Sequence, residues 1–171
     1  GNGLPKYTFG FNFTLGYKGF DLSANFTGAA GFQIAQSYRD PSSSQANYSR
    51  RILNRWTGEG TNNEIPRVTY GDVGNWLFSD LYLQDGDYIR LQNLTLGYDF
   101  KKLIAWKGLS KMRLYFQVQN LFTLTKYDGM DPEIGSFNGT DGNSSDSWVS
   151  GVDMGYYPHP RTFIVGLNLA F

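Results

Sequence analysis

The residues able to do chemistry in this chain lie in two long stretches without regular patterning, 36–86 and 126–160. His159 is the single histidine, set between Pro158 and Pro160. No catalytic constellation can be assembled around it, so no enzyme activity is expected. Two acidic stretches offer closely spaced oxygen donors, Asp128 to Glu133 and Asp141-Gly142-Asn143-Ser144-Ser145-Asp146. Ca²⁺ takes such donors, which makes Asp141, Asn143 and Asp146 candidates for a structural calcium site, but neither stretch has the spacing of the EF-hand loop. Ordinary Asp, Asn and Gly turn chemistry accounts for both, and no cofactor is expected. Six loop aromatics, Trp56, Tyr70, Trp76, Trp148, Tyr156 and Tyr157, present flat faces. Such faces stack on sugar rings or bury area against a protein partner at low entropy cost; their commoner role is to pack a loop against itself. Arg50, Arg51 and Arg55 belong to a stretch, Tyr48 to Trp56, that reads as a short basic helix. Its charge suits an anionic ligand, or simply solvent.

The elements that must hold these loops read as strands. In Phe163, Val165, Leu167, Leu169 and Phe171 a large apolar side chain returns at every second position, with Thr162, Gly166, Asn168 and Ala170 between them. Side chains alternate across a strand, so this stretch has one apolar face and one that tolerates water. Tyr7 to Tyr17 repeats the pattern, Lys18-Gly19 signals a tight turn, and Phe20 to about Ile34 resumes it, which reads as a hairpin. Period two returns from Tyr88 to Phe100, with Ile89-Arg90-Leu91 out of phase, and again from Met112, with Asn120 on the apolar face. Both irregularities predict bulges. The expected strands lie near 6–17, 20–34, 87–100, 112–125 and 161–171.

Composition sharpens the class. Aromatics make up 17% of the residues and charged residues only 18%, which suits strands at a membrane. The formal net charge is zero, so no nucleic-acid partner is expected. There is no cysteine, which excludes a disulfide scaffold and thiol-ligated metal. No run reaches the roughly 18 apolar residues of a spanning helix. Mean hydropathy is −0.40, which a barrel strand with one wet face also gives. The first residues, Gly1 to Pro5, show no signal peptide, so an exported protein with this start is expected to be processed or a fragment.

Connection lengths supply a separate test. Outer-membrane barrels have short periplasmic turns and long external loops. Counting back from Phe171 with the last strand descending to the periplasm, the 126–160 loop is external, Lys101 to Lys111 periplasmic, the 36–86 loop external and Lys18-Gly19 periplasmic. Long and short connections alternate as a barrel requires. Lys101, Lys102, Lys107 and Lys111 then lie at periplasmic headgroups with Trp106 beside them. The fold class expected is all-β, about five antiparallel strands forming the C-terminal arc of a large transmembrane β-barrel. Five strands cannot close such a barrel, whose bacterial examples start at about eight.

The chain resembles the C-terminal end of the SusC/RagA family of TonB-linked outer-membrane transporters. The resemblance rests on an ordered set: Pro5-Lys6-Tyr7-Thr8-Phe9-Gly10-Phe11-Asn12-Phe13, Tyr17-Lys18-Gly19-Phe20-Asp21-Leu22-Ser23-Ala24, and Asp87-Tyr88-Ile89-Arg90-Leu91-Gln92-Asn93-Leu94-Thr95-Leu96-Gly97-Tyr98. Asn120-Leu121-Phe122-Thr123, Asp131-Pro132-Glu133, Gly151-Val152-Asp153, Tyr157-Pro158 and Pro160-Arg161-Thr162-Phe163 complete it. It implies a plugged barrel of about 22 strands and a SusD-like lipoprotein as external lid. It also implies energy from the TonB complex, acting through an N-terminal part and plug not in this chain, and import of oligosaccharides or peptides in a Gram-negative outer membrane. The partners expected are the remainder of the barrel, the lid, outer-membrane lipid and the barrel-assembly machinery. The last of these reads a terminal strand of the kind formed by Phe163, Val165, Leu167, Leu169 and Phe171. The other readings are a barrel serving as adhesin or surface receptor without import, and a soluble glycan-binding β-sandwich.

Overall fold

The computed structural model of the chain describes residues 1–37, 50–61, 64–68, 79–104, 108–134 and 151–171, without the side chains of Arg51 and Lys102. Period two becomes strand at each place the sequence marks. In chain order the strands are β1 (Tyr7–Tyr17), β2 (Phe20–Ala30), β3 (Gln33–Gln36), β4 (Leu83–Asp85), β5 (Tyr88–Asp99), β6 (Lys111–Thr125), β7 (Val152–Asp153) and β8 (Thr162–Ala170). The five long ones form one sheet in the order β1-β2-β5-β6-β8, every pair antiparallel. The sheet is open, with β1 and β8 as its edges. No described helix is long and apolar enough to cross a membrane, which leaves the strands as the elements to judge.

Their dimensions fit a bilayer. At ~3.4 Å per residue an eleven-residue strand such as β1 is about 37 Å long, and tilted by ~45° it crosses about 26 Å, the height of a barrel's apolar band. One face carries Phe9, Phe11, Phe13, Phe20, Leu96, Leu114, Phe116, Phe163 and Val165, all exposed, Val165 to 71%. More than a dozen large apolar side chains stand free on the strands. Left in water at about 1.5 kcal/mol or more each, they would outweigh the ~5–15 kcal/mol that holds a domain together. This face needs an apolar neighbour, and lipid is the one that its length fits.

Lys18 and Gly19, at φ 47° and 98°, form the two-residue turn expected between β1 and β2. The bulges are also where the pattern slips. Register shifts between Leu91 and Asn93, opposite Asn120, whose φ of 51° lies in the left-handed region and whose Nδ2 donates to the Pro160 carbonyl at 3.1 Å. Asn tolerates that conformation better than other residues with a side chain.

Three expectations need correction. The second strand does not run to Ile34. Gly31 turns the chain at φ 79°, its N–H donating to Asp87 Oδ1 at 2.6 Å, and Phe32 and Ile34 are buried away from the apolar face. The long loops are not wholly irregular either. β3 pairs antiparallel with β4 and parallel with β7, so a small sheet joins the two loops at their base. Its packing against β2 and β5 forms a compact core of Ala29, Phe32, Ile34 and Tyr127, with Tyr88 and Ile134 at its margin. The basic stretch is a 3-10 turn over Arg50–Asn54.

The short connections, Lys18-Gly19 and the segment after Asp99, meet at one end, where the Asp99 N–H donates to the Gly19 carbonyl at 2.8 Å. The two long connections leave from the other end and share the small sheet there.

Candidate functional site at the loop end of the sheet

The polar face of the sheet is built of amides and hydroxyls, with charge confined to two places. Near the short turns, Arg113 on β6 reaches over Gly97 on β5 to Asp21 on β2, with its Nε 2.8 Å and Nη2 2.5 Å from the two carboxylate oxygens. Gly97 makes this possible, since a Cβ there would run into both partners. Between the two charged places Gln117 donates to Asn93 at 3.2 Å.

The second charged place is at the loop end. The bulge puts Arg90 on the polar face, between Thr27 of β2 and Thr123 of β6. Arg90 is 2% exposed, and a guanidinium so buried must find a partner for its charge. It finds several. Nε donates to Thr123 Oγ1 at 2.9 Å, Nη1 to Glu133 Oε2 at 2.6 Å, and Nη2 to Asp131 Oδ1. Tyr88 lies beneath it, the guanidinium carbon 5.8 Å from the ring centre.

Asp131, 3% exposed, is the counter-charge. Its Oδ1 also accepts the Glu133 N–H at 2.9 Å and its Oδ2 the His159 N–H at 3.1 Å. Burial pushes its pKa up. The N–H groups of Glu133 and His159, the His159 ring and the Arg90 charge outweigh burial and hold it below the ordinary 3.8. His159 Nδ1 stands 3.1 Å from both Arg90 Nη1 and Asp131 Oδ2. With its proton on Nε2 the ring accepts from Arg90; with the proton on Nδ1 it donates to Asp131.

A second carboxylate organises the neighbouring turn. Asp153, 1% exposed, accepts the Tyr127 hydroxyl on Oδ2 at 2.5 Å, and the N–H groups of Gly155 and Tyr156 on Oδ1 at 2.8 and 2.9 Å. These bonds offset the cost of burying it.

Among the candidates read from sequence, Tyr156 and Tyr157 stand beside this cluster, 39% and 82% exposed, with the Tyr156 ring 6.3 Å from that of His159. Trp56 is exposed, with its backbone N–H donating to the Ile65 carbonyl at 2.8 Å. Arg55 caps its own turn through Nη1 to the Ile52 carbonyl. Phe163, Val165, Leu167 and Leu169 line the apolar face of β8, and Phe171 follows the strand. Tyr70, Trp76, Trp106, Lys107, Trp148, Asp141, Asn143 and Asp146 lie outside the described residues. In the other acidic stretch, Asp131 and Glu133 are committed to Arg90, and Asp128 is exposed with no part in that cluster. Sequence reasoning missed Arg90. The signal was present: a charge between Ile89 and Leu91 where the alternation slips.

An antiparallel sheet with a lipid-length apolar face, a polar face and both long connections at one end is a piece of transmembrane β-barrel wall. No family model matches the chain. Its sequence is 38% identical over 173 residues to TonB-dependent receptor P3 of Formosa agariphila, all of this chain and 17% of that protein. It is 30% identical over 166 residues to TonB-dependent receptor SusC of Bacteroides thetaiotaomicron, 95% of this chain and 15% of that one. Among solved structures, the RagAB peptide importer in its open-open state matches 98% of this chain and 17% of its own, at 25% identity and a TM-score of 0.72. The chain belongs with the TonB-dependent receptors of the SusC and RagA kind, and spans 15% to 17% of these relatives' length. These relatives are receptors by name, and the described strands make this chain a piece of such a barrel's wall.

Proposed function

We propose that the chain is the C-terminal wall of an outer-membrane importer. The importer takes up oligosaccharides or peptides with energy from TonB, under a SusD-like surface lipoprotein. The remainder of the barrel pairs with the edges of β1 and β8, and the short turns face the periplasm. The observation that carries this reading is the two-faced sheet with its long connections gathered at one end, an arrangement a soluble sandwich has no reason to adopt. The relatives' names and the RagAB title agree with import. The polar face suits either cargo, since its amides and hydroxyls can exchange hydrogen bonds with sugar hydroxyls or with a peptide backbone.

The test is uptake by the full-length protein in an outer membrane, using labelled oligosaccharide and peptide pools with TonB present or deleted. Accumulation that requires both the receptor and TonB is expected. A receptor that holds cells or ligand at the surface without accumulation would overturn import in favour of an adhesin or surface receptor.

A further inference from the structure

The segment Gly155 to His159 is held from both sides by buried carboxylates. Asp153 takes the N–H groups of Gly155 and Tyr156, and Asp131 takes the N–H of His159. Between these anchors only Tyr157 and Pro158 remain, and proline has its φ fixed already. Asp131 is itself fixed by Arg90, which also reaches Glu133 on the departing side of the same connection and Thr123 on the wall. One arginine on β5 therefore ties together β6, the start of the 126–160 connection and its end. Tyr157 is 82% exposed on a segment whose backbone is nonetheless pinned. An exposed aromatic in a fixed position loses little freedom when something binds it.

We propose that Arg90 is a positioning residue that pins both feet of the β6–β8 connection to the wall and thereby presents Tyr156 and Tyr157 as a pre-ordered aromatic pair. The pair's use for cargo rests on the import reading; the pinning does not. Glu133 contributes least, because its side chain is 44% exposed and screened by solvent.

Hydrogen exchange of the full-length receptor in detergent tests the pinning directly. In Arg90→Met the amide of His159 is expected to exchange roughly tenfold faster or more, while that of Tyr156, held by Asp153, loosens less and those of the β5–β6 ladder keep their protection. Arg90→Lys should restore part of the protection, because a lysine supplies the charge for Asp131 without the fork. If Arg90→Met does not fold, Thr123→Val removes the wall contact alone and should loosen the His159 amide by a smaller factor. Tyr157→Ala should leave protection at Tyr156 and His159 intact. Unchanged exchange at the His159 amide in the folded Arg90 and Thr123 variants would overturn the proposal. So would loss of protection spread evenly over the sheet. Neither result depends on uptake, so a failure of the import reading would be seen separately.

Discussion

Asp131 joins Arg90 to both feet of the loop end, and its protonation state decides whether it can. Its pKa is held below the ordinary 3.8, so the folded form binds the proton less readily than the unfolded chain does. The stabilisation is therefore complete above that value and is lost as pH falls through the lowered one. Protease resistance of the residues flanking 128–134 and 153–161, followed from neutral pH downward in the full-length receptor, is expected to hold level and then collapse below about pH 4. In Asp131→Asn the acid step should vanish, and resistance above about pH 4 should already be reduced toward that of the acid-collapsed form. Breaking one partner of a buried pair costs about 3–5 kcal/mol, and here Arg90 would be left with Glu133 alone as a counter-charge. Glu133, His159 and Tyr88, the other titratable groups facing the arginine, are unchanged in that variant, so the difference isolates Asp131. Superimposable acid profiles for the two proteins would show that another group is responsible.

The pairing of β1, β2 and β5 depends on a close approach at Gly28. A Cβ there would meet the Phe9 ring and, at 2.6 Å, the Tyr88 carbonyl oxygen. A ring can swing aside, whereas a ladder carbonyl cannot. Gly28→Ala is expected to destabilise the barrel by about 1–3 kcal/mol in denaturant titration. Gly10, one strand away, offers the contrast, since a Cβ there would find only the Phe26 carbonyl at 3.8 Å. Gly10→Ala should be neutral or slightly stabilising because it lowers the entropy of the unfolded chain; equal losses at the two positions would contradict the close approach. The long strands were legible in the sequence because lipid on one side and water on the other impose a period of two along their length. Asn120 and the slip at Arg90 were legible as bulges for the same reason. β3, β4 and β7 were not, because strands of two to four residues are too short to show a period. Phe32 and Ile34 kept the right phase and still belonged to a different sheet, since Gly31 allows a turn that periodicity does not register. The Arg90 cluster escaped because its partners are far apart in sequence and meet only through the register of β5 with β6.

The assembled wall should distinguish its two sides by what they touch. Phe11 and Asn12 are neighbours on β1, both exposed here, yet one side chain is on the apolar face and the other on the polar face. Phe11→Arg is expected to cost about 2–4 kcal/mol on folding into bilayers, as a charge near the midplane does, and Asn12→Arg far less. Equal tolerance in vesicle-folding assays would mean that lipid does not cover the Phe11 face. The Arg90 cluster has a further consequence, for the order in which the molecule is made. It joins residues 33, 41, 43 and 69 positions apart, and closing such spans costs entropy that only an already aligned β5–β6 ladder can offset. The strands must therefore zip first, with the connection between β6 and β8 still slack. Its two feet lock afterwards, as one of the last events of folding.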